Sequence, residues 1–457
     1  MAPSYSEIVG TARRAYAEGR TRPVEFRRKQ LQQYKKMLED HRDEFLKALA
    51  EDLNKPKLEA VIFEVDFAMK DADYLLANLD KWVKTEEVPS VVPGDKSLIL
   101  REPYGVCLVM GAWNYPLQLA LIPAAGAIAA GNAVVIKPSE VSPATAAAIA
   151  KYLPQYLDKE CFPVVLGGVP ETTELLKERF DYIFYTGSTG VGKIVQSAAS
   201  KHLTPTTLEL GGKSPCYVDN SADLDIAVRR ILWGKMFNLG QTCIAPDYIL
   251  CPSAVQSAFV DKCKAVLKEW YGNEAKKSSD LSRIVAERHV DRLANYLKDG
   301  TPVIGGKYDK TAKWVEPTVL VDVKADSRIM QEEIFGPILP ILNVAGADDA
   351  ITFINKREKP LALYVFSKNK GDINKFLEGV SCGGLTVNDT LHHAANHNLP
   401  FGGVGYSGMG AYHGDYTFKT FTHYKPVLIR EYEAAQEKML SARYPPYSDE
   451  KLKVLTA

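Results

Sequence analysis

The chain has 457 residues, 46% of them hydrophobic and 25% charged, with a formal net charge of zero. That is the composition of a globular protein of roughly one to three domains. A zero balance argues against a dedicated nucleic-acid binder, because neutralising phosphates needs surplus Lys and Arg. The seven cysteines, at positions 107, 161, 216, 243, 251, 263 and 382, are scattered and form no CxxC pair. This predicts a reducing compartment and argues against a disulfide framework or a zinc site. His392, His393 and His397 lie close together, but with no HExxH or cysteine pair they predict a structural or loop role. The opening from Met1 to Glu7 has no basic-then-apolar pattern, so no secretory leader is expected. The most apolar segment, Leu117 to Ala130, contains Gln118 and Pro123 and is too short to span a bilayer.

Apolar residues at Phe26, Leu31, Tyr34, Leu38, Phe45, Leu49 and Leu53 follow a helical period and predict a helix over 24–53. A second is expected from about Leu58 to Trp82. Two prolines and a Gly-Asp pair before Ser97 to Leu100 suggest an edge strand or hairpin. Alternation follows: strand 105–110, helix 117–130, strand 133–137, helix from Ser142-Pro143 to about Tyr152. Strand 162–166, helix 171–179, strand 181–185 and a helix to about Lys201 come next. This βαβαβα rhythm requires right-handed crossovers and a parallel sheet, and reads as a Rossmann-like nucleotide domain. A second α/β region over about 210–390 follows. It contains helix 222–237, strand 247–251, helix 253–270, helical residues around 287–298, helix 347–356 and strand 362–366. Residues 416–422 alternate like an exposed strand.

Several positions invite chemistry, each with a plain alternative. Gly187 to Gly192 lies between strand and helix, where glycines allow close approach and a helix N-terminus can face an anion. Its GxxGxG spacing differs from the dinucleotide fingerprint. With Lys193 it mimics a triphosphate loop, but Ile194 stands where a magnesium-binding hydroxyl is needed. A dinucleotide site and an ordinary turn both stay open. Lys137 and Glu140 follow a strand end, where parallel sheets hold ligands; a solvated turn is the alternative. Glu209 alternates within an apolar strand before Gly211-Gly212. If buried it has a raised pKa suited to a general base; otherwise it faces solvent. Asn114 can present an amide donor or cap a helix, and Glu332-Glu333 has no function legible from spacing. Cys243, in a Gly/Thr-rich loop, can be a small hydrophobe, a redox thiol or a nucleophile.

Taken together and in order, these pieces resemble the aldehyde dehydrogenase superfamily over nearly the whole chain. Thr207-Leu-Glu-Leu-Gly-Gly-Lys-Ser-Pro215 is similar to its glutamate motif, and Gly240-Gln-Thr-Cys243 to its cysteine motif. Glu332-Glu-Ile-Phe-Gly-Pro337, Ala112-Trp-Asn-Tyr-Pro116, Lys137-Pro-Ser-Glu140 and Pro400-Phe-Gly-Gly403 complete the set. Thr386-Val-Asn-Asp-Thr390, the short length and Gly410-Ala-Tyr-His-Gly-Asp-Tyr-Thr-Phe418 resemble the class 3 branch, which acts on fatty and aromatic aldehydes. The resemblance implies an α/β fold with three parts. These are a Rossmann-like cofactor domain over 1–82 and 103–208, an α/β catalytic domain over 209–392 and a bridging strand element over 83–102 and 411–430. A polar tail covers 431–457.

The same resemblance implies the nucleophile at Cys243, the general base at Glu209 and oxyanion donors in the Asn114 amide and the Cys243 N–H. It implies cofactor contacts at Lys137, Glu140, Gly187, Ser188, Gly192, Glu333 and Phe335. The expected cofactor is NAD, with NADP left open, and no metal is needed. The expected partners are an aldehyde and a second copy of the chain in a homodimer, with no nucleic acid. With no apolar run in its polar tail, the chain is expected to be cytoplasmic and without a membrane anchor. Other readings are a CoA-acylating reductase, which the presence of Glu209 weakens, and a structural protein on the same fold.

Overall fold

The computed structural model describes residues 3–456. Helices Tyr5–Ala17, Val24–Asp40, Arg42–Leu53 and Asp66–Trp82 build the N-terminal layer. The periodic positions Leu31, Tyr34, Leu38, Phe45, Leu49 and Leu53 are all buried, as a 3.6-residue period requires. The helix expected over 24–53 is two helices. His41, at φ −116° and ψ 27°, ends the first and opens the second. Its ring stacks 3.8 Å from that of Tyr152, a tertiary contact invisible to local periodicity. The second expected helix is interrupted by a π turn at Val61–Val65.

The first sheet has five strands in the order Gly408–Met409, Thr206–Glu209, Tyr182–Thr186, Val106–Met110 and Ala133–Lys137. The last four are mutually parallel, and Gly408–Met409 runs antiparallel. Cys107 and Val109 pack into one core, and Val106, Leu108 and Met110 into another. Both faces are therefore covered, which explains the unbroken apolar run. The strand expected at 162–166 is reduced to one bridge between Ile136 and Val164. Pro163 has no N–H to give a ladder, and Gly167 at φ 154° turns the chain away.

A second sheet of seven strands runs Gly384–Val387, Ala362–Phe366, Pro215–Val218, Tyr248–Cys251, Ile338–Asn343, Thr318–Val321, Thr301–Ile304. All its pairings are parallel except the last. One continuous core joins it to the N-terminal helices and the first sheet. The architecture is the expected α/β one.

A third sheet pairs Lys96–Pro103 with Glu86–Val88 on one side and Thr422–Ile429 on the other. The expected hairpin is therefore present, but the strand expected at 416–422 is not. Asp415–Thr420 is a helix, and the strand begins at Thr422. Thr417, Phe418 and Phe421 bury one helical face, which outweighs the local alternation of polar and aromatic residues. That face meets Gly126 in helix Gln118–Ala130, where an added Cβ would lie 2.0 Å from Thr417 Cγ2. Gly126→Ala is expected to destabilise the fold by about 1–3 kcal/mol through overpacking. A urea titration checks this. Adding Thr417→Ser, which keeps the hydroxyl and removes the methyl, is expected to recover most of the loss.

Candidate active site

The carboxyl ends of the first sheet and two loops of the second, those of Cys243 and Glu333, meet at a cavity of about 360 Å³. Glu209 ends its strand between Thr186 and Gly408. It is 3% exposed, and neither carboxyl oxygen has a hydrogen-bond partner. Burial alone pushes its pKa well above the usual carboxylate range, since nothing nearby compensates the charge.

Cys243 reaches the cavity from a loop of unusual backbone. Helix Leu224–Met236 starts on the Asp223 side chain, which accepts from the Asp225 and Ile226 N–H groups. Beyond its end, Asn238 (φ 49°), Leu239 (φ 53°) and Gly240 (φ 76°) are all left-handed. Each non-glycine there costs about 1–2 kcal/mol, so the loop needs external ties. The Asn238 N–H donates to Glu59 Oε2 at 2.9 Å. Asn238 Nδ2 donates to Asn114 O at 2.9 Å and Gln241 O at 3.1 Å. Gln241 Nε2 donates to Asn238 O and Arg283 O, and its Oε1 accepts from the Val285 N–H. At Gly240 a Cβ would sit 2.3 Å from Gly336 O. Thr242 Oγ1 and Tyr115 Oη share a hydrogen bond of 2.7 Å.

The half-buried Cys243 thiol is pushed up by burial and then by the Glu333 and Glu209 carboxylates. The Cys243 and Ile244 N–H groups oppose that shift. Asn114, which follows strand Val106–Met110, is 4% exposed and donates one Nδ2 hydrogen to Gln241 O at 3.1 Å. Its second amide hydrogen is left for the cavity, which Asn114 lines.

Glu333 stands on a loop fixed from behind. Arg292 Nη1 donates to Glu333 O at 3.2 Å and Ile334 O at 2.8 Å, and Asp247 Oδ1 accepts from the Ile334 N–H at 2.9 Å. Burial, followed by the Asp247 charge, pushes Glu333 up to about 8. Gly211 makes room for it, since a Cβ there would lie 2.0 Å from Glu333 Oε2. Phe335, at φ 49°, meets the Trp113 ring edge-on at 5.3 Å.

Cys243, Glu209, Asn114, Glu333, Phe335, Gly187 and Ser188 thus line one cavity. Lys137, Glu140 and Gly192 do not. Lys137 ends strand Ala133–Lys137 and donates to Glu140 Oε2 at 2.9 Å. Gly192 packs helix Thr189–Ser200 against the first sheet, where a Cβ would be 2.7 Å from Leu210 Cδ2. Ser188 caps that helix by accepting from the Val191 N–H. The other walls are Phe63, Phe67, Tyr115, Leu119, Phe237 and Phe401. Phe63, Phe67, Leu119 and Phe237 carry no signal of a site in the sequence, because apolar residues in helical segments read as core, while Tyr115 and Phe401 lie inside two of the family-like motifs without a role of their own. The three histidines are separately engaged. His392 stacks on Trp233, His393 Nδ1 meets Thr386 Oγ1, and His397 faces Asp71. Among the described residues no group of three His, Cys, Asp or Glu can hold a metal ion.

A model of the aldehyde dehydrogenase family matches residues 2–427, and the chain belongs to that family. Its relatives narrow this to the class 3 branch. It is 50% identical over 443 residues to an "aldehyde dehydrogenase, dimeric NADP-preferring" of Canis lupus familiaris, covering 96% of this chain and 97% of that one. It is 51% identical over 448 residues to "aldehyde dehydrogenase family 3 member A2" of Mus musculus, covering 96% and 91%. Among solved structures, the substrate-bound state of a Staphylococcus aureus AldH superposes with a TM-score of 0.95. That structure is 42% identical, and the match covers 99% of each chain. The protein is an NAD(P)-dependent aldehyde dehydrogenase.

The raised thiol pKa sets a pH dependence. A group raised by burial holds its proton longer, so the thiolate fraction at neutral pH is below that of a free cysteine, whose pKa is about 8.5. Without cofactor, alkylation of Cys243 by iodoacetamide is expected to be slow at pH 7. It is expected to climb without a plateau through pH 9, as followed by mass spectrometry of the Cys243 peptide.

Proposed function

We propose that Cys243, Glu209 and Asn114 carry out the oxidation, with Cys243 as nucleophile, Glu209 as base and Asn114 as oxyanion donor. The observation that carries this is their convergence on one cavity that also receives the N-terminus of helix Thr189–Ser200. The cavity suits a nicotinamide dinucleotide. The buried Glu333 Oε1 is without a partner and can accept from a ribose hydroxyl, while the helix opening at Ser188 can face the pyrophosphate. Lys137 and Glu140, beside each other at the end of the outer strand Ala133–Lys137, would take the adenosine ribose. Glu140 can accept from a 2′-hydroxyl, and Lys137 can meet a 2′-phosphate. Both NAD and NADP are thereby accommodated, and the relative described as NADP-preferring points the same way. Gly192 contributes by letting the helix approach the sheet.

In the mechanism, the Cys243 proton passes through Glu209 to solvent, and the thiolate then attacks the aldehyde carbonyl. The Asn114 Nδ2 hydrogen and the Cys243 N–H stabilise the resulting oxyanion, fixed donors being worth most in a water-poor site. The bound dinucleotide supplies a hydride acceptor. Cys243 is then a thioester, and Glu209 takes a proton from the water that hydrolyses it. A carboxylate with a raised pKa is a stronger base for this task. Glu209 therefore makes hydrolysis, rather than transfer to another thiol, the favoured exit.

The aromatic and aliphatic walls suit aldehydes with aromatic, medium-chain or long-chain apolar groups. In the same reading, the first sheet with its helices is the cofactor domain (1–82 and 103–208) and the second sheet the catalytic domain (209–392). The third sheet (83–102 and 411–430) is the subunit-joining element. Its outer strand Thr422–Ile429 has one side unpaired, an edge that a second copy can cover. A relative described as dimeric supports this. Seven unpaired cysteines fit a reducing, cytoplasmic setting. Among the described residues no helix is long and apolar enough to cross a membrane.

Cys243→Ala is expected to abolish aldehyde-dependent reduction of NAD and NADP without CoA. Glu209→Gln is expected to give one equivalent of reduced cofactor per site and then stall as the acyl-enzyme. Steady turnover in that variant would rule out Glu209 as the deacylating base.

A further inference from the structure

Lys55 and Glu64 have no exposed side-chain surface, and their charges meet at 2.6 Å. Removing two ions from water costs several kcal/mol each, recovered only when every remaining donor and acceptor is satisfied. Here the remaining bonds converge on one short turn. Lys55 Nζ also donates to Asn114 O at 2.9 Å and lies 4.1 Å from the Tyr115 ring centroid. Glu64 Oε2 accepts from the Leu117 and Gln118 N–H groups at 3.1 and 3.0 Å. The ion pair therefore grips the 114–118 turn at both ends, and Glu64 lies in the π turn Val61–Val65. Such turns occur often at functional sites.

Asn114 O accepts from Asn238 Nδ2 as well, and Asn114 Nδ2 donates to Gln241 O. With backbone and one amide hydrogen both fixed, the second amide hydrogen has a single direction. We propose that the Lys55–Glu64 pair is a positioning device that aims the Asn114 amide at the reacting carbonyl oxygen. It acts through Asn114 and touches neither substrate nor cofactor. The proposal rests on the reading of Asn114 as oxyanion donor.

The test compares Lys55→Met/Glu64→Gln, Asn114→Ala and their combination in the full-length enzyme. Glu64→Gln retains an acceptor oxygen for the Leu117 and Gln118 N–H groups, while the charge pair and the donor to Asn114 O are lost. Activity is expressed per titrated Cys243, so unfolded protein is not counted. For the ion-pair variant, kcat is expected to fall about 10- to 100-fold, the size of a sub-ångström to ångström misplacement. Dissociation constants for NAD and NADP should stay within about twofold of the parent enzyme. The combined variant should be no slower than Asn114→Ala within about threefold, because both act on one contact. A kcat within about twofold of the parent, a parallel loss of cofactor affinity, or multiplicative losses in the combined variant would overturn the proposal. If the ion-pair variant does not fold, Lys55→Gln is measured on the same scale with the same criteria. Full activity of Asn114→Ala alone would instead remove the oxyanion-donor reading beneath it.

Discussion

A run of left-handed residues ahead of the cysteine is the constraint on which the rest of the site depends. Asn238, Leu239 and Gly240 cannot hold that shape by themselves, and their ties come from distant parts of the chain. Glu59 and Asn114 hold the loop from the N-terminal helices and the first sheet, and Arg283 and Val285 hold it from the loop ahead of helix Glu287–Tyr296. The loop that presents the thiol is formed only where the two sheets are docked. Local instability is thus converted into a requirement for global assembly.

The same docking creates the electrostatics. Glu209, Glu333 and Cys243 share a cavity with apolar walls, and each is raised chiefly by desolvation. In a medium that poor in water, a second negative charge is unfavourable while the first persists. Each of the three groups therefore holds its proton more tightly than it would in water.

Much of this was legible from the residues. The alternating strands and helices of 105–201 were readable because buried parallel strands appear as continuous apolar runs, and apart from the strand expected at 162–166 they match within a few residues. The short strands Pro215–Val218 and Thr318–Val321 were not readable, although Tyr248–Cys251, equally short, was. The helix Asp415–Thr420 was misread because its buried face packs on helix Gln118–Ala130, nearly three hundred residues earlier in the chain. At the site, Cys243 and Glu209 each remained ambiguous alone and gained meaning from the order of motifs. Lys55 and Glu64 carried no signal, because a charged residue between two helices or on an amphipathic helix ordinarily faces solvent. Only their complete burial marks them as different.

The third sheet has a consequence for synthesis. Strand Lys96–Pro103 finds its second neighbour in Thr422–Ile429, and the ion pair joining Lys425 to Glu102 spans 323 residues. As the polypeptide leaves the ribosome, the early hairpin must wait for almost the entire chain before its open side is paired. Contacts of such separation form late, and an uncovered strand is sticky in the interval. Nascent chains of this enzyme therefore carry that strand with one side open until the C-terminal segment arrives.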